Sequence, residues 1–326
     1  MKGRIIKQIK ILCSLVSALR SPPSFVIIHL SLLILFLSCQ TVPNIPQAQF
    51  EKASNAPLDS GASVYIFADV KEARSIIEIL PIDELKDPQV KQMLDRTNYI
   101  AAALFSADSG RRFQLTAWGK YPEGANIIFA SNKNWKKQKD AEQRNYWHSS
   151  ADKLSLAMNK RNAFAAGSLN SSPISPFTQE TGIEIPEGFN EFRKEKKTFQ
   201  GEYKFPKAPL SCWLDDPGAA VIRALNEAGI PIRVPVRKLF ISLFDGLETK
   251  NKYTARIILQ FDNTAQARGV LALLGLTGGY LAENIPVFIK SLFFSNPVTL
   301  EDKYLEFKSA PLSEYELKIF LSSLYF

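Results

Sequence analysis

Histidine and cysteine are both scarce in this sequence, which contains two histidines and three cysteines among 326 residues. Only one histidine, His148, follows residue 39. A serine triad, a two-histidine zinc site and a facial iron triad each need more partners or a closer spacing than one histidine offers. We therefore expect no metal site, no cofactor and no histidine-based catalysis, and we expect His148 to lie at the surface or at a strand edge.

A long apolar run, of the kind that forms a membrane-spanning helix, is missing as well. The run Phe25–Leu37 contains about 13 residues and is interrupted only by His29 and Ser31, whereas a spanning helix needs roughly 20. Five Lys and Arg residues precede this run, and no acidic residue lies before Cys39. A basic segment followed by a short apolar run is typical of a secretory signal.

The apolar run ends in the sequence Phe36-Leu37-Ser38-Cys39. This segment resembles the lipobox of bacterial lipoproteins, in which an aliphatic residue and two small residues precede a cysteine. It departs from that pattern at Phe36, where leucine is usual, and at Leu37, which is bulkier than the usual residue. The resemblance implies that Cys39 is acylated after cleavage before it, and stable anchoring takes more than one acyl chain. The alternatives are an uncleaved membrane anchor, or an ordinary signal followed by a coincidental cysteine.

The net charge of the chain, +8, overstates the charge of the part that would remain after cleavage. Without the five basic residues of the signal, 35 Lys and Arg oppose 32 Asp and Glu, a balance of +3 that does not predict nucleic-acid binding. With Cys13 removed and Cys39 acylated, Cys212 has no disulfide partner within the chain. We expect Cys212, between Ser211 and Trp213 in a predicted strand, to be buried and unreactive.

Composition and periodicity divide the chain into five segments. They are a signal peptide (1–38), a flexible tether (39–61), a first α+β unit (62–167), a linker rich in proline and charge (168–207) and a second α+β unit (208–326). The order strand, helix, strand, strand, helix, strand is predicted in both units. The predicted fold class is therefore α+β, with two similar units, each an antiparallel sheet with helices packed on one face. This arrangement resembles uncharacterised duplicated α+β domains of exported bacterial proteins.

Two weak sequence echoes accompany the proposed repeat. One relates Phe67-Ala68-Asp69 to Trp213-Leu214-Asp215, and the other relates 151–154 (ADKL) to 301–304 (EDKY). The predicted helices are 71–80 with Asp69 as N-cap, 89–94, 124–132, 187–193, 217–228 and 265–276, the last ending before Gly278-Gly279. The predicted strands are 63–68, 99–107, 111–119, 147–159, 161–167, 210–214, 237–244, 253–261 and 298–307. Residues 313–325 are predicted to be an amphipathic helix or a strand.

Three other patterns each allow a chemical and a structural interpretation. Asp215-Asp216 suggests acid catalysis or a cation site, but carboxylates before Pro217 also make a good helix start, which we favour. The basic patch Lys133–Lys139 surrounds Trp135 and could settle on anionic lipid headgroups, although a solvated loop is the favoured interpretation. The apolar segment Ile285–Phe294 is more typical of a core than of a ligand groove.

The sequence as a whole favours a lipid-anchored protein of the cell envelope that acts as a binding or assembly module and not as an enzyme. We expect it to be exported and held at a membrane by acylated Cys39, with the outer membrane favoured over the inner membrane and an envelope protein as partner. Two alternatives from other classes stay open. One is an envelope hydrolase that uses paired carboxylates. The other is a carrier that holds an apolar ligand in a cavity lined by Phe288, Phe293 and Phe294.

Overall fold

The computed structural model describes residues 58, 61–80, 88–106, 110–121, 129–130, 132–140, 143–158, 162–169, 208–215, 217, 234–245, 252–281 and 296–324. Cys39, the predicted tether except residues 58 and 61, most of the predicted linker, most of the predicted helix 124–132, the predicted helix 187–193, the predicted helix 217–228 except residue 217, and the segment Ile285–Phe294 lie outside these residues. Asp216 lies outside them as well. Leu58, which was predicted to belong to the flexible tether, is fully buried in the core.

The described residues form twelve strands and four helices. The strands are β1 (Val64–Asp69), β2 (Thr97–Leu104), β3 (Arg111–Gly119), β4 (Lys136–Lys139), β5 (Asn145–Ser149), β6 (Leu154–Met158), β7 (Asn162–Ser168), β8 (Leu210–Asp215), β9 (Lys238–Asp245), β10 (Tyr253–Gln260), β11 (Thr299–Glu301) and β12 (Tyr304–Lys308). The helices are α1 (Arg74–Ile79), α2 (Pro88–Arg96), α3 (Thr264–Leu281) and α4 (Glu314–Leu324). Within the described residues, no helix is long and apolar enough to cross a membrane.

The strands form one antiparallel sheet in the order β11-β12-β10-β9-β8-β1-β2-β3-β7-β6-β5-β4. The predicted α+β class and antiparallel pairing are confirmed, but the strands of the two predicted units belong to one sheet and not to two. The units meet at the centre, where β1 pairs with β8 and Tyr65 lies opposite Trp213. The sheet order is symmetric about this pair, because β2, β3, β7 and β6 follow β1 outward as β9, β10, β12 and β11 follow β8.

The two faces of the sheet bury different kinds of side chain. On the first face, which we call the helical face, aliphatic residues of β9 and β10 such as Ile241 and Ile257 pack against Ile76 of α1, Val270 of α3 and Leu317 of α4. Helix α2 lies on the same face, where its Leu94 is buried with residues of α1 and β1. The opposite face is richer in aromatic and polar groups. Its central cluster contains Tyr65, Phe67, Trp118, Trp213 and Phe240.

The ends of the helices differ from the predictions in two places. Helix α1 begins at Arg74, three residues later than predicted, because Asp69 ends β1 and its carboxylate accepts a hydrogen bond from the Glu72 amide at 3.2 Å. Helix α3 continues through Gly278-Gly279 to Leu281, so these glycines do not end the helix as predicted. Its predicted start is confirmed, since Asn263 Oδ1 accepts a hydrogen bond from the Gln266 amide at 2.9 Å.

Helix α4 resolves the ambiguity of the C-terminal segment in favour of a helix. Ser313 and Glu316 form a capping box: the Glu316 carboxylate accepts a hydrogen bond from the Ser313 amide at 2.7 Å, and Ser313 Oγ accepts one from the Glu316 amide at 3.3 Å. These bonds satisfy amide groups that a helix start leaves without partners inside the helix. The hydrogen bonds that the Glu316 carboxylate accepts from the Ser313 hydroxyl, and to a smaller extent from the Ser313 amide, lower the pKa of Glu316.

Two of the predicted strands are in fact hairpins. Residues 147–159 divide into β5 and β6 at a turn that contains Lys153 with φ of 50°, and residues 298–307 divide into β11 and β12 at a turn that contains Asp302 with φ of 49°. Left-handed backbone of this kind is uncommon outside glycine, which explains why neither turn was predicted. The echo between 151–154 and 301–304 therefore relates two turns. These turns are not equivalent in the symmetric strand order, because the first joins β5 to β6, whereas β11 and β12 correspond to β6 and β7.

Candidate functional site

The basic patch predicted as a loop contains the last strand of the sheet. Residues 136–139 form β4, which pairs with β5 on one side and ends the described strand order on the other. Lysine and glutamine are poor strand formers, so the propensity of this segment argued for a loop. The prediction of a loop is wrong for these four residues, whereas the expected solvent exposure of Lys136, Lys137 and Lys139 is confirmed.

A buried tryptophan fixes the start of this strand. Trp135 is 6% exposed, and its ring lies 4.9 Å from that of Phe129, which in turn lies 5.8 Å from that of Trp147 in β5. The turn before it is closed by a hydrogen bond of 3.1 Å from the Trp135 amide to the carbonyl of Asn132. Because Trp135 belongs to the core of the helical face, it cannot act as the exposed aromatic residue that the lipid-headgroup interpretation required.

An ion pair closes the loop between β4 and β5. The buried carboxylate of Asp140 accepts hydrogen bonds from the amide and from Nε of Arg144, at 2.8 Å and 2.7 Å. The Asp140 amide donates to the Arg144 carbonyl at 3.0 Å, and the loop accommodates Gln143 with φ of 63°. A carboxylate with these partners pre-orders the hairpin, and its own charge is compensated by Arg144. This ion pair was not predicted from the sequence, although the spacing of Asp140 and Arg144 was an available signal.

The side chains of β4 differ in what they do. Gln138 accepts a hydrogen bond of 2.7 Å from the hydroxyl of Tyr146, its opposite neighbour in β5. Lys139 Nζ donates to Gln143 at 3.3 Å. The four exposed lysines are Lys133 in the turn and Lys136, Lys137 and Lys139 in the strand, and no acidic residue occurs between positions 132 and 139. In the strand, Lys136 points to the opposite face of the sheet and Lys137 and Lys139 point to the helical face, because side chains alternate.

His148 is buried, and its predicted place at the surface or at a strand edge is wrong. It lies in β5, one strand in from the edge, opposite Lys136 and Ser155, and it is 5% exposed. Its Nδ1 lies 3.2 Å from the Ser155 hydroxyl. Burial lowers the pKa of His148, and a backbone hydrogen bond with Leu154 opposes that shift to a smaller extent. The turn that separates β5 from β6 was not predicted, because 147–159 was predicted as one strand.

Cys212 lies in the centre of the sheet, in β8 opposite Ile66 and Ile241. The residue is partly buried, less completely than predicted, and it is free of disulfide bonds. Its surroundings exclude enough water to raise the pKa of the thiol to about 12. A thiol with such a pKa is protonated at neutral pH and is a poor nucleophile. Asp215, for which a helix start was favoured over acid catalysis or a cation site, ends β8 opposite Lys238.

A second group of polar residues connects α1, β9 and α4. The hydroxyl of Ser75 donates to the carboxylate of Asp245, and the nearby charges of Asp245, Glu314 and Glu78 contribute to a raised pKa of Tyr253, whose main cause is burial. The three carboxylates lie at the exposed surface. A hydrolase site is usually a cleft that excludes water from its carboxylates, so this group fits a structural link better. Among the described residues, no group of three or more potential ligands could hold a metal ion.

The family of the chain follows from comparison with known proteins. A model of the family described as outer membrane-associated lipoprotein TP0453 matches residues 56–276. The chain belongs to this family. No curated protein sequence matches it.

Crystal structures titled TP0453 share the fold of this TP0453-family chain. Crystal form IV has a TM-score of 0.54 at 18% identity, covering 83% of this chain and 98% of that one. Crystal form III has a TM-score of 0.52 at 18% identity, covering 82% and 96%, and form I has a TM-score of 0.52 at 16% identity, covering 82% and 95%. The chain is therefore a bacterial lipoprotein, exported and anchored at a membrane, as its lipobox-like segment predicted.

Proposed function

We propose that this protein is a non-catalytic binding module that its lipid anchor holds at the outer membrane, with the hairpin of β4 and β5 as its binding surface. The observation that carries the proposal is the uncompensated charge of β4. Three of its four residues are exposed lysines, and the one carboxylate in the hairpin loop that the structure describes, Asp140, is engaged by Arg144. Such a surface attracts anionic partners and accelerates their encounter.

The anchor in this proposal is Cys39, acylated after removal of residues 1–38. The TP0453 family description supports membrane association, and the basic segment, short apolar run and Ser38-Cys39 support the acceptor residue. We also propose that the symmetric strand order arose by duplication of one ancestral unit. The strand order and the relation of Phe67-Ala68-Asp69 in β1 to Trp213-Leu214-Asp215 in β8 support that interpretation.

The binding role can be tested with the full lipidated chain purified from membranes in mild detergent. A variant with Lys136→Gln, Lys137→Gln and Lys139→Gln is compared with a control that carries Lys71→Gln, Lys91→Gln and Lys252→Gln, which removes the same charge outside β4. We expect an envelope component that co-purifies in fixed proportion with wild type and control, is lost with the β4 variant and dissociates at high salt. Equal recovery with all three proteins, or no component in any of them, would contradict the proposal.

A further inference from the structure

We infer that β4 binds an acidic segment of a partner protein in extended conformation, which adds to the sheet as a further antiparallel strand. This inference rests on the proposed function and names the chemistry of the partner. It requires three properties of the hairpin: a free backbone edge, a fixed conformation, and side chains that select negative charge.

The backbone edge follows from the position of β4 in the sheet. In an antiparallel pair, alternate residues direct their amide and carbonyl groups toward the neighbour, and the others direct them away. Since β4 pairs with β5 alone among the described strands, its outward groups can hydrogen-bond to an added strand. The addition of a peptide strand to a sheet edge is a recurring mode of recognition, in which main-chain hydrogen bonds supply affinity and side chains supply specificity.

The hairpin is ordered before any partner arrives. Trp135 holds one end of β4 in the core, and the ion pair between Asp140 and Arg144 closes the other end. Between them, the hydrogen bond from Tyr146 to Gln138 fixes the strand against β5. A pre-ordered edge avoids the loss of conformational entropy that a flexible basic loop would suffer on binding.

The lysines determine which strands can add. Lysine on an edge strand normally prevents pairing with neutral or apolar strands, and one well-placed charge can be enough for that protection. Strand β4 has three, on both faces, with Lys133 beside them, while the other edge strand, Thr299–Glu301, has none and is three residues long. So many positive charges are more than this protection needs, and they favour a partner whose carboxylates lie opposite the lysines.

The register predicts the order of residues in the partner. An antiparallel strand opposite Lys136-Lys137-Gln138-Lys139 places carboxylates opposite the three lysines and any residue opposite Gln138. Read from its own N-terminus, the partner is acidic, any, acidic, acidic. A membrane surface is a poorer fit, because Trp135 is buried and the patch presents no exposed aromatic residue to the lipid interface.

The test measures binding of the full lipidated chain, in neutral detergent micelles, to a labelled peptide with the core Glu-Thr-Glu-Glu. We expect the triple variant Lys136→Gln, Lys137→Gln, Lys139→Gln to bind roughly tenfold more weakly than wild type, since one exposed ion pair contributes a factor of roughly 1.4 to 5. The control variant at Lys71, Lys91 and Lys252 should bind like wild type. Binding that is equal in all three proteins, or undetectable in wild type, would overturn the inference.

A second peptide separates strand addition from simple attraction between charges. N-methylation of alternate backbone amides keeps every carboxylate but removes the hydrogen-bond donors of one edge. Methylation of the edge that faces β4 should weaken binding by roughly tenfold, because it removes main-chain hydrogen bonds to β4, whereas methylation of the other edge should not. Equal affinity for the two methylated peptides would show a polyanion surface and no added strand.

A third measurement addresses the membrane. The full chain is placed in nanodiscs of neutral or anionic lipid, and reaction of Lys136, Lys137 and Lys139 with an amine reagent is followed by mass spectrometry. Equal reaction in both lipids is expected, and protection by anionic lipid would assign the surface to headgroups. If the peptide fails to bind while co-purification of the envelope component still depends on β4, the strand-addition inference is wrong and the proposed binding module stands.

Discussion

Replacement of Gly119 by alanine should destabilise the fold by about 2–4 kcal/mol, because its Cβ would overlap backbone. The added carbon would lie 2.1 Å from the carbonyl oxygen of Arg96 and 2.9 Å from Cα of Thr97, far inside the 3.4 Å at which ordinary contact begins. Both atoms belong to the junction between α2 and β2, so no side-chain rotation relieves the overlap. Overpacking of this kind costs about 1–3 kcal/mol. The shift also weakens the hydrogen bond of 2.7 Å from the Lys120 amide to Arg96, which adds about 0.5–1.5 kcal/mol.

A matched control comes from a glycine with open space around it. Gly269 lies in α3, and a Cβ there would meet no atom within 4 Å. Alanine favours a helix interior over glycine by roughly 0.5–1 kcal/mol. The same chemical change at Gly269 should therefore stabilise the protein by about that amount, with a sign opposite to that at Gly119.

Thermal unfolding of the full chain in detergent, followed by circular dichroism, measures both effects. For a domain of this size, 1 kcal/mol corresponds to about 2–4 °C in the melting temperature. Gly119→Ala should melt roughly 4–16 °C below wild type, and Gly269→Ala roughly 1–4 °C above it. A Gly119→Ala variant that melts with wild type would show that the end of β3 and the start of β2 do not approach each other as closely as the structure describes.

Four further predictions concern individual side chains. Cys39→Ala should abolish fatty-acid labelling and leave the signal uncut, and label retained in the variant would contradict the assignment. Because the pKa of His148 in the folded protein lies below its ordinary value of about 6.5, the unfolded state takes up the proton first, so the melting temperature should fall as the pH drops below about 6.5, and less steeply in His148→Gln. Ser313→Ala should cost about 1 kcal/mol and raise the pKa of Glu316, measurable by NMR titration; an unchanged pKa would refute the capping box. Cys212 should react slowly with a polar thiol reagent at neutral pH and rapidly only after denaturation; fast labelling of the folded chain would contradict its high pKa.

Long runs of β-branched and aromatic residues identified most of the sheet correctly. The predicted strands near β1, β3, β8, β9 and β10 lie within a residue or two of the observed ones, because burial on both faces selects such residues in continuous runs. The start of α3 and the helical state of α4 could also be predicted from the sequence, since Asn263 and the pair Ser313 and Glu316 are sequence signals for helix starts.

The candidate site was harder to predict from the sequence, because its ordered structure depends on residues that are distant in the chain. A segment with three lysines in four residues has no strand propensity of its own, and β4 forms because Trp135 packs on Phe129 and Trp147. The burial of His148 likewise depends on the turn at Lys153. This residue has left-handed backbone, but it is not a glycine, so the sequence does not mark the turn. Neither feature could be derived from a local pattern, because both are set by tertiary packing that overrides propensity.

The central pairing of β1 with β8 has a consequence for how an exported chain of this kind matures. Tyr65 finds its neighbour Trp213 roughly 150 residues further along the chain, and contacts between such distant residues form slowly. While the chain emerges from a translocation channel with its N-terminal part first, β1 has one edge without a partner, and Tyr65 and Phe67 lack the Trp213 ring that completes their cluster. Unpaired strand edges and exposed aromatic side chains promote aggregation. The protein should therefore need an envelope chaperone until residues 210–215 have crossed the membrane. Only then can β8 pair with β1 and end the need for that chaperone.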